Sequence, residues 1–280
     1  MPPSERLILV ASGPGASGAD TVLRILGGHP AAAVNAALGP PLIAAIIPLL
    51  VHAPYDVEAW SPRRAAQALT DVLRRLETLD ERGCCAAAEL TAAVRAVPIR
   101  IPVYGRLFLP AELSFAEWVP LVRHALFTAT GVTDEVPLAL KSGPHAAAVI
   151  QSLLRPAGSI IYTVRHPTET VIGLVSSAVD GMRPAEAVDY VAIHLQQARR
   201  HLDTVGCKAL LVRLEDLVSS TDLVLTELCG VTNLPDEIGW RVKARAGLPT
   251  DIICSPRWDH PVVRAHRDQL SVLAKAWGYT

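Results

Sequence analysis

The sequence has little charge, few aromatic side chains and few cysteines. Only 19% of its 280 residues are charged and 5% are aromatic, whereas 50% are hydrophobic. This composition excludes an intrinsically disordered chain, which would be poor in apolar residues and rich in charge. The formal net charge of −1 excludes a general attraction to nucleic acid or to an anionic membrane surface. Any anion-binding site must therefore be local.

The cysteine and histidine patterns do not indicate a metal site. The five cysteines include no C-x-x-C, and their number is odd. A reduced, cytoplasmic protein fits this usage best. The nine histidines form neither H-E-x-x-H nor H-x-x-x-H, so we expect no bound metal.

Residues 25–55 contain no Asp, Glu, Lys or Arg and therefore raise the question of a membrane span. A spanning helix needs about 20 consecutive apolar residues. Pro40, Pro41 and Pro48 divide this stretch into shorter pieces, and no basic cluster flanks it. We therefore expect no membrane partner. The stretch is interpreted as buried helices or as the wall of an apolar pocket. The first residues also lack the pattern of a signal peptide.

Short apolar runs that alternate with helical patterns predict an α/β fold, formed as a single domain over residues 1–280. The predicted architecture is a central parallel sheet with helices on both faces. The predicted strands are 6–11, 137–141, Ser159–Val164 and Lys208–Arg213. The predicted helices are 17–28, 62–82, 86–97, 114–130, 144–154, 167–179, 184–205, 221–229 and 258–277. In such sheets ligands bind beyond the carboxyl ends of the strands.

The first predicted strand ends in a glycine-rich turn that contains Gly13, Gly15, Ser17 and Gly18. Such a turn presents backbone N–H groups at the start of a helix, where phosphate or sulfate oxygens bind. A tight strand-to-helix turn needs the same glycines without any ligand, so both interpretations stay open. The spacing is not that of a Walker P-loop. The acidic residue that binds ribose in dinucleotide-binding folds is also missing from residues 25–55.

Two further strand ends carry cations. Lys141 ends the second strand, and His145 follows it at a predicted helix start; together they could contact an anion and a reacting hydroxyl. Alternatively, the lysine reaches solvent and the histidine lies on the surface. Arg165 follows the third strand, where its guanidinium could bind phosphate or pair with a carboxylate such as Asp216.

Taken together, these stretches resemble the sulfotransferase family that uses 3′-phosphoadenosine-5′-phosphosulfate (PAPS), and the bacterial branch is the most similar. The resemblance follows the chain in order from end to end. Residues 13–20 resemble the family motif G-x-x-R-S-G-T-T, and residues 141–145 resemble K-[ST]-P-x-H. Residues 162–171 are similar to the segment V-R-D-P-R-x-V-V, and residues 213–217 to R-Y-E-D-L. Near the end of the chain, residues 257–258 resemble the last two positions of G-R-W, and residues 276–279 resemble the final L-G-Y.

The resemblance implies a three-layer, P-loop-like fold and sulfuryl transfer from PAPS to a hydroxyl or amine of an apolar small molecule. It also implies a place in small-molecule biosynthesis, with no nucleic-acid partner. The resemblance implies that Lys141 binds the leaving phosphate, that His145 takes the acceptor proton, and that residues 38–51 line the acceptor pocket. It implies cofactor binding by Gly13, Gly15, Ser17 and Gly18 at the 5′-phosphosulfate, by Arg165 at the 3′-phosphate, and by Arg257.

The sequence departs from the family at several of its donor-binding positions. In the first loop Ala16 replaces the cation, while Ala19 and Asp20 replace two hydroxyl residues. Gly173 replaces a serine of the 3′-phosphate segment, and Leu214 replaces a tyrosine near the adenine. A second hypothesis follows, in which the fold has lost PAPS use and catalyses another acid–base reaction or only binds a small molecule. A scaffold without a site would not explain the polar residues at three strand ends.

Overall fold

The sheet is formed by strands from widely separated parts of the chain. A computed structural model describes residues 7–14, 17–35, 74, 88, 101–104, 107–109, 136–142, 158–177, 181–204, 208–248 and 255–279. The strands are β1 Leu7–Ser12, β2 Ala33–Asn35, β3 Ile101–Tyr104, β4 Leu107–Leu109, β5 Leu138–Ser142, β6 Ser159–Val164 and β7 Lys208–Arg213. Five of them form a parallel sheet in the order β2-β5-β1-β6-β7, while β3 and β4 form a separate antiparallel pair.

Described helices connect β1 to β2 and β6 to β7, and five more follow β7. They are α1 Ala19–Gly27, α2 Pro167–Ser176, α3 Pro184–Thr204, α4 Leu214–Ser219, α5 Thr221–Thr232, α6 Ile238–Ala246, α7 Pro261–Arg264 and α8 Arg267–Ala276. None of the described helices combines the length and the apolar character that crossing a membrane requires.

Both faces of the sheet are buried, which is why its strands read as continuous apolar runs. Ile8 and Val10 of β1 pack into a hydrophobic cluster with residues of α1, α5 and α6. Leu7 and Leu9 alternate with them, lie on the opposite face and are also buried. All six residues of β6 are buried as well. The predicted α/β architecture around a parallel sheet is therefore confirmed.

The order of the strands brings the three predicted ligand-binding ends together. β1 lies between β5 and β6, and all three run in the same direction. The glycine-rich turn after β1, Lys141 in β5 and Arg165 after β6 consequently share one edge of the sheet. This edge positions the candidate site.

The structure corrects several predicted elements. The helix predicted over 258–277 is two helices, α7 and α8, because the chain turns between them at Ala265 and His266. β2 lies within the uncharged stretch and was not predicted, and neither were α4 and α6. Helix α5 continues to Thr232, three residues past its predicted end at 229. The predicted helices 62–82, 86–97, 114–130 and 144–154 lie outside the described residues except at Arg74 and Ala88, which are helical.

Candidate functional site

The glycine-rich turn after β1 is fastened to the end of β6 by hydrogen bonds. The Gly13 backbone N–H donates to the Thr163 carbonyl oxygen at 2.9 Å. The hydroxyls of Ser17 and Thr163 are 3.0 Å apart, and Ser17 is buried. The Ser17 hydroxyl is thus bonded within the protein, while Gly15 and Ala16 lie outside the described residues.

Gly18 has a structural reason to be glycine. It caps the start of α1 with φ 98°, a left-handed conformation that side chains rarely adopt. A Cβ at this position would lie 2.7 Å from Cδ1 of Leu214, the residue that replaces the family's tyrosine. At Gly18 the turn's backbone conformation and the close approach of α4 therefore account for the glycine without a ligand.

Lys141 pairs with the carboxylate that replaces a hydroxyl residue of the family's loop. The Lys141 Nζ donates to both Oδ1 and Oδ2 of Asp20, each at 2.7 Å. Lys141 is the penultimate residue of β5 and Asp20 lies in the first turn of α1, so the pair joins two neighbouring elements at the sheet edge. The two side chains are 32% and 75% exposed, respectively, so the pair is open to solvent.

The two arginines predicted to bind the cofactor meet at one buried carboxylate. Glu169, in the first turn of α2, has a side chain that is 0% exposed. Its oxygens accept from the Arg257 backbone N–H at 3.0 Å and from Arg257 Nη2 at 2.7 Å. Arg165 Nη2 lies 3.8 Å from the same carboxylate. Arg165 thus has a carboxylate partner, as the alternative interpretation expected, but this partner is Glu169; Asp216 lies 3.5 Å from Arg213 instead.

Glu169 stays ionised in this position. Burial alone would raise the pKa of its carboxyl, but the hydrogen bonds from Arg257 and the charges of Arg257 and Arg165 hold that pKa below its usual value. The same pairing raises the pKa of Arg257. Together, Arg165, Arg257 and Glu169 contribute two guanidinium groups and one carboxylate, and the summed charge of these three side chains is positive.

His166 follows Arg165 and is the neutral, buried N-cap of α2. Its Nδ1 accepts from the Thr168 backbone N–H at 3.3 Å, so its proton is assigned to Nε2. Nε2 is buried and has no hydrogen-bond partner among the described residues. The ring meets Trp258 and Tyr279 edge-on, with centroids 5.4 and 4.9 Å apart. Burial lowers the pKa of His166 from 6.5 to about 4, although the Glu169 charge acts in the opposite direction.

This environment predicts acid sensitivity of the fold. Because the His166 pKa is lower in the folded state, the unfolded chain binds more protons as the pH falls from 6.5 towards 4. The stability due to the neutral ring is complete above pH 6.5 and declines below it, by about 2 kcal/mol at pH 5. Urea unfolding at pH 7 and pH 5 measures this decline in the free energy of unfolding. The variant His166→Asn can keep the cap, and its free energy of unfolding should decline by about 2 kcal/mol less than that of the wild type.

A second capping histidine supplies the matched control. His260 caps α7 in the same way, accepting from the Val262 backbone N–H at 3.3 Å, but its ring is partly exposed. The variant His260→Asn should show the same difference in the free energy of unfolding between pH 7 and pH 5 as the wild type. An undiminished difference in His166→Asn would show that the acid sensitivity comes from other groups.

Glu215 connects the same strand end to the end of the chain. Its Oε1 accepts from the His166 backbone N–H at 2.9 Å, and its Oε2 accepts from the Tyr279 hydroxyl at 3.2 Å. Arg213 donates to the Trp277 carbonyl oxygen at 2.8 Å and lies over the Tyr279 ring. The C-terminal residues are therefore packed against the segment that carries Arg165.

Sequence reasoning found the cations of the site but missed the carboxylates that hold them. Glu169 follows Arg165 by four residues across a predicted helix start, a spacing at which ion pairs form, and this signal could have found it. Asp20 was recognised as a departure, but its pairing with Lys141 was not predicted. His145 lies outside the described residues. The described part of the chain contains no cluster of three or more potential metal ligands.

Comparisons with known proteins support the fold. The chain is similar to the sulfotransferase domain of the olefin synthase from Synechococcus PCC 7002, with 18% identity and a TM-score of 0.54 over 98% of this chain and 94% of that one. It is also similar to sulfotransferase STF9 from Mycobacterium avium, with 14% identity and a TM-score of 0.51 over 100% of this chain and 78% of that one. No family model and no curated protein matches the sequence. At these identities the likeness shows a sulfotransferase fold.

Proposed function

We propose that this chain transfers a sulfuryl group from PAPS to a hydroxyl or amine of an apolar small molecule. The observation that supports this function is the meeting of three strand ends at one edge of the sheet. The turn with Gly13 and Gly18, the amine of Lys141 and the guanidinium of Arg165 lie at that edge, on the strands β1, β5 and β6. Phosphate and sulfate oxygens are commonly bound by cations and by backbone N–H groups at a helix start, which supports the proposal.

In this reaction the protein positions two oxygens in line and stabilises negative charge. The acceptor oxygen forms a bond to sulfur while the bond between sulfur and the phosphate oxygen breaks. Lys141 donates to the leaving phosphate, which departs as adenosine 3′,5′-bisphosphate. The resemblance assigns the acceptor proton to His145 and the apolar acceptor pocket to residues 38–51, all of which lie outside the described residues. A cytoplasmic, single-domain protein is the setting that the sequence predicts for this reaction.

A second function has its own supporting observation, which is the position of Asp20. Both of its oxygens accept from Lys141 Nζ at 2.7 Å and so occupy two of the three N–H donors that a phosphosulfate oxygen could use. The Ser17 hydroxyl, bonded to Thr163, is also engaged. In this alternative the fold does not use PAPS and acts on, or binds, a small molecule without a nucleotide.

Calorimetry with adenosine 3′,5′-bisphosphate, the desulfated donor, separates the two functions. Sulfuryl transfer requires binding with a Kd below about 1 mM, which corresponds to about −4 kcal/mol. The variant Arg165→Ala should then weaken this binding, because it removes a cation assigned to the nucleotide. The absence of binding by the wild-type chain at millimolar nucleotide would overturn the first function and favour the second.

A further inference from the structure

Glu169 is a buried carboxylate in a place where the proposed function needs only cations. Its side chain is 0% exposed, and the residue lies one helical turn after Arg165. Taking a carboxylate out of water is costly unless its oxygens are well bonded. Here the backbone N–H, Nε and Nη2 of Arg257 all donate to it, at 2.7 to 3.2 Å. Glu169 is therefore firmly attached to Arg257.

The bonds of Glu169 use one edge of the Arg257 guanidinium and leave the other edge open. Nε and Nη2 face the carboxylate, while Nη1 has no hydrogen bond among the described residues. Arg165 is oriented less completely, since its Nη2 lies 3.8 Å from Glu169 and its buried Nε has no partner in the described ranges. Both arginines thus retain donors that an anion could accept from.

Two guanidinium groups this close repel each other, and a carboxylate between them removes most of that repulsion. Arg165 Nη2 and Arg257 Nη2 approach the same oxygen, Glu169 Oε2, at 3.8 and 2.7 Å. The two cations are therefore neighbours at the end of β6, and one phosphate could reach both. Without Glu169, Arg257 would be free to turn into solvent, because its side chain is 43% exposed.

We infer that Glu169 is a positioning residue, which holds Arg257 beside Arg165 so that both contact the 3′-phosphate of the nucleotide. This inference rests on the proposed function. Glu169 itself does not contact the ligand in this arrangement; it acts through the orientation of Arg257. Its contribution therefore concerns selectivity for the 3′-phosphate rather than binding of the adenosine.

The test compares adenosine 3′,5′-bisphosphate with adenosine 5′-monophosphate, which lacks the 3′-phosphate, by calorimetry. In Glu169→Gln an amide N–H replaces one acceptor oxygen and faces the donors of Arg257. The affinity for the bisphosphate should fall about tenfold, while that for the monophosphate stays within about twofold. Glu169→Asp keeps the charge and should retain more of the selectivity. The control Glu186→Gln removes an exposed carboxylate from the pair with Arg183 and should leave both affinities unchanged.

Two results for Glu169→Gln would contradict this inference. If Glu169 only repels the nucleotide, Glu169→Gln binds the bisphosphate more tightly than the wild type, and the inference is wrong. The inference is also wrong if Glu169→Gln keeps the wild-type preference for the bisphosphate over the monophosphate. Should Glu169→Gln fail to fold, the double variant Glu169→Gln/Arg257→Met must show the same selectivity as Arg257→Met alone, because Glu169 acts only through Arg257; a difference between these two variants overturns the inference. If the wild-type chain binds neither nucleotide, the proposed function is refuted, and the inference is refuted with it. If the wild-type chain binds both nucleotides and the Glu169 variants keep its selectivity, only the inference is refuted.

Discussion

Replacing Asp20 by threonine should raise the affinity for adenosine 3′,5′-bisphosphate by about 10- to 100-fold. The substitution releases Lys141 Nζ from both carboxylate oxygens, which it contacts at 2.7 Å. A charge-assisted hydrogen bond to the released amine contributes about 1.5–3 kcal/mol, and the removed carboxylate no longer repels the phosphate. Threonine also introduces the hydroxyl that the family carries here. Calorimetry on the wild-type and variant chains measures the difference.

The control for this prediction must change the charge by the same amount elsewhere. Glu186→Gln removes one exposed carboxylate from the ion pair with Arg183 and should not alter nucleotide affinity. The double variant Asp20→Thr/Lys141→Met should lose most of the gain, because the gain depends on the released amine. An Asp20→Thr chain that binds no better than the wild type would show that Asp20 does not limit access to Lys141.

The largest loss of stability is expected from Trp240→Ala, at about 3–5 kcal/mol. Trp240 is 2% exposed and belongs to the hydrophobic cluster that joins α1, α5 and α6 to the sheet. Its Nε1–H donates to the Ile25 carbonyl oxygen at 2.8 Å, and its ring meets that of His29 edge-on at 4.9 Å. The contact anchors the end of α1, whose first turn carries Asp20. Urea unfolding at pH 7 measures the loss.

Two further variants separate packing from hydrogen bonding at this position. Trp240→Phe keeps most of the buried ring and loses the Nε1–H donor, so it should cost only about 1–2 kcal/mol. The Ile25 carbonyl oxygen keeps a second donor in that variant, the Gly28 N–H at 3.2 Å. Val272→Ala, at a side chain that is 68% exposed, should stay within about 0.5 kcal/mol of the wild type. A loss for Trp240→Ala near that of Val272→Ala would contradict the assigned anchoring role.

The strands of the central sheet were the elements most accessible to sequence reasoning. The predicted bounds Ser159–Val164 and Lys208–Arg213 are those of β6 and β7. β6 is buried along its whole length, and β7 is mostly half-buried, so both read as short apolar runs that the local sequence displays directly. The three-residue edge strand β2 could not be recognised in this way, because it is short and lies inside a long uncharged stretch in which its apolar residues do not stand out.

The C-terminal region shows where local patterns are insufficient. The pattern over 258–277 is helical in character, yet the chain forms α7, turns at Ala265 and His266, and continues as α8. Over residues 258–277, the packing of the chain against the rest of the protein decides between one long helix and two short ones. Val263 is fully buried against the body of the protein, and α7 contacts α2. The break places α7 against the helix that carries Glu169.

The sequence by itself determined the strand ends at which Lys141 and Arg165 lie, because apolar runs and glycine-rich turns depend on neighbouring residues. Tertiary structure decided which carboxylate each cation meets. Lys141 meets Asp20 from 121 positions away, and Arg257 meets Glu169 from 88 positions away. Such pairs form because the order β5-β1-β6 and the packing of α7 bring distant segments together. No local pattern encodes that proximity, so the charge balance of the site became visible only in the folded chain.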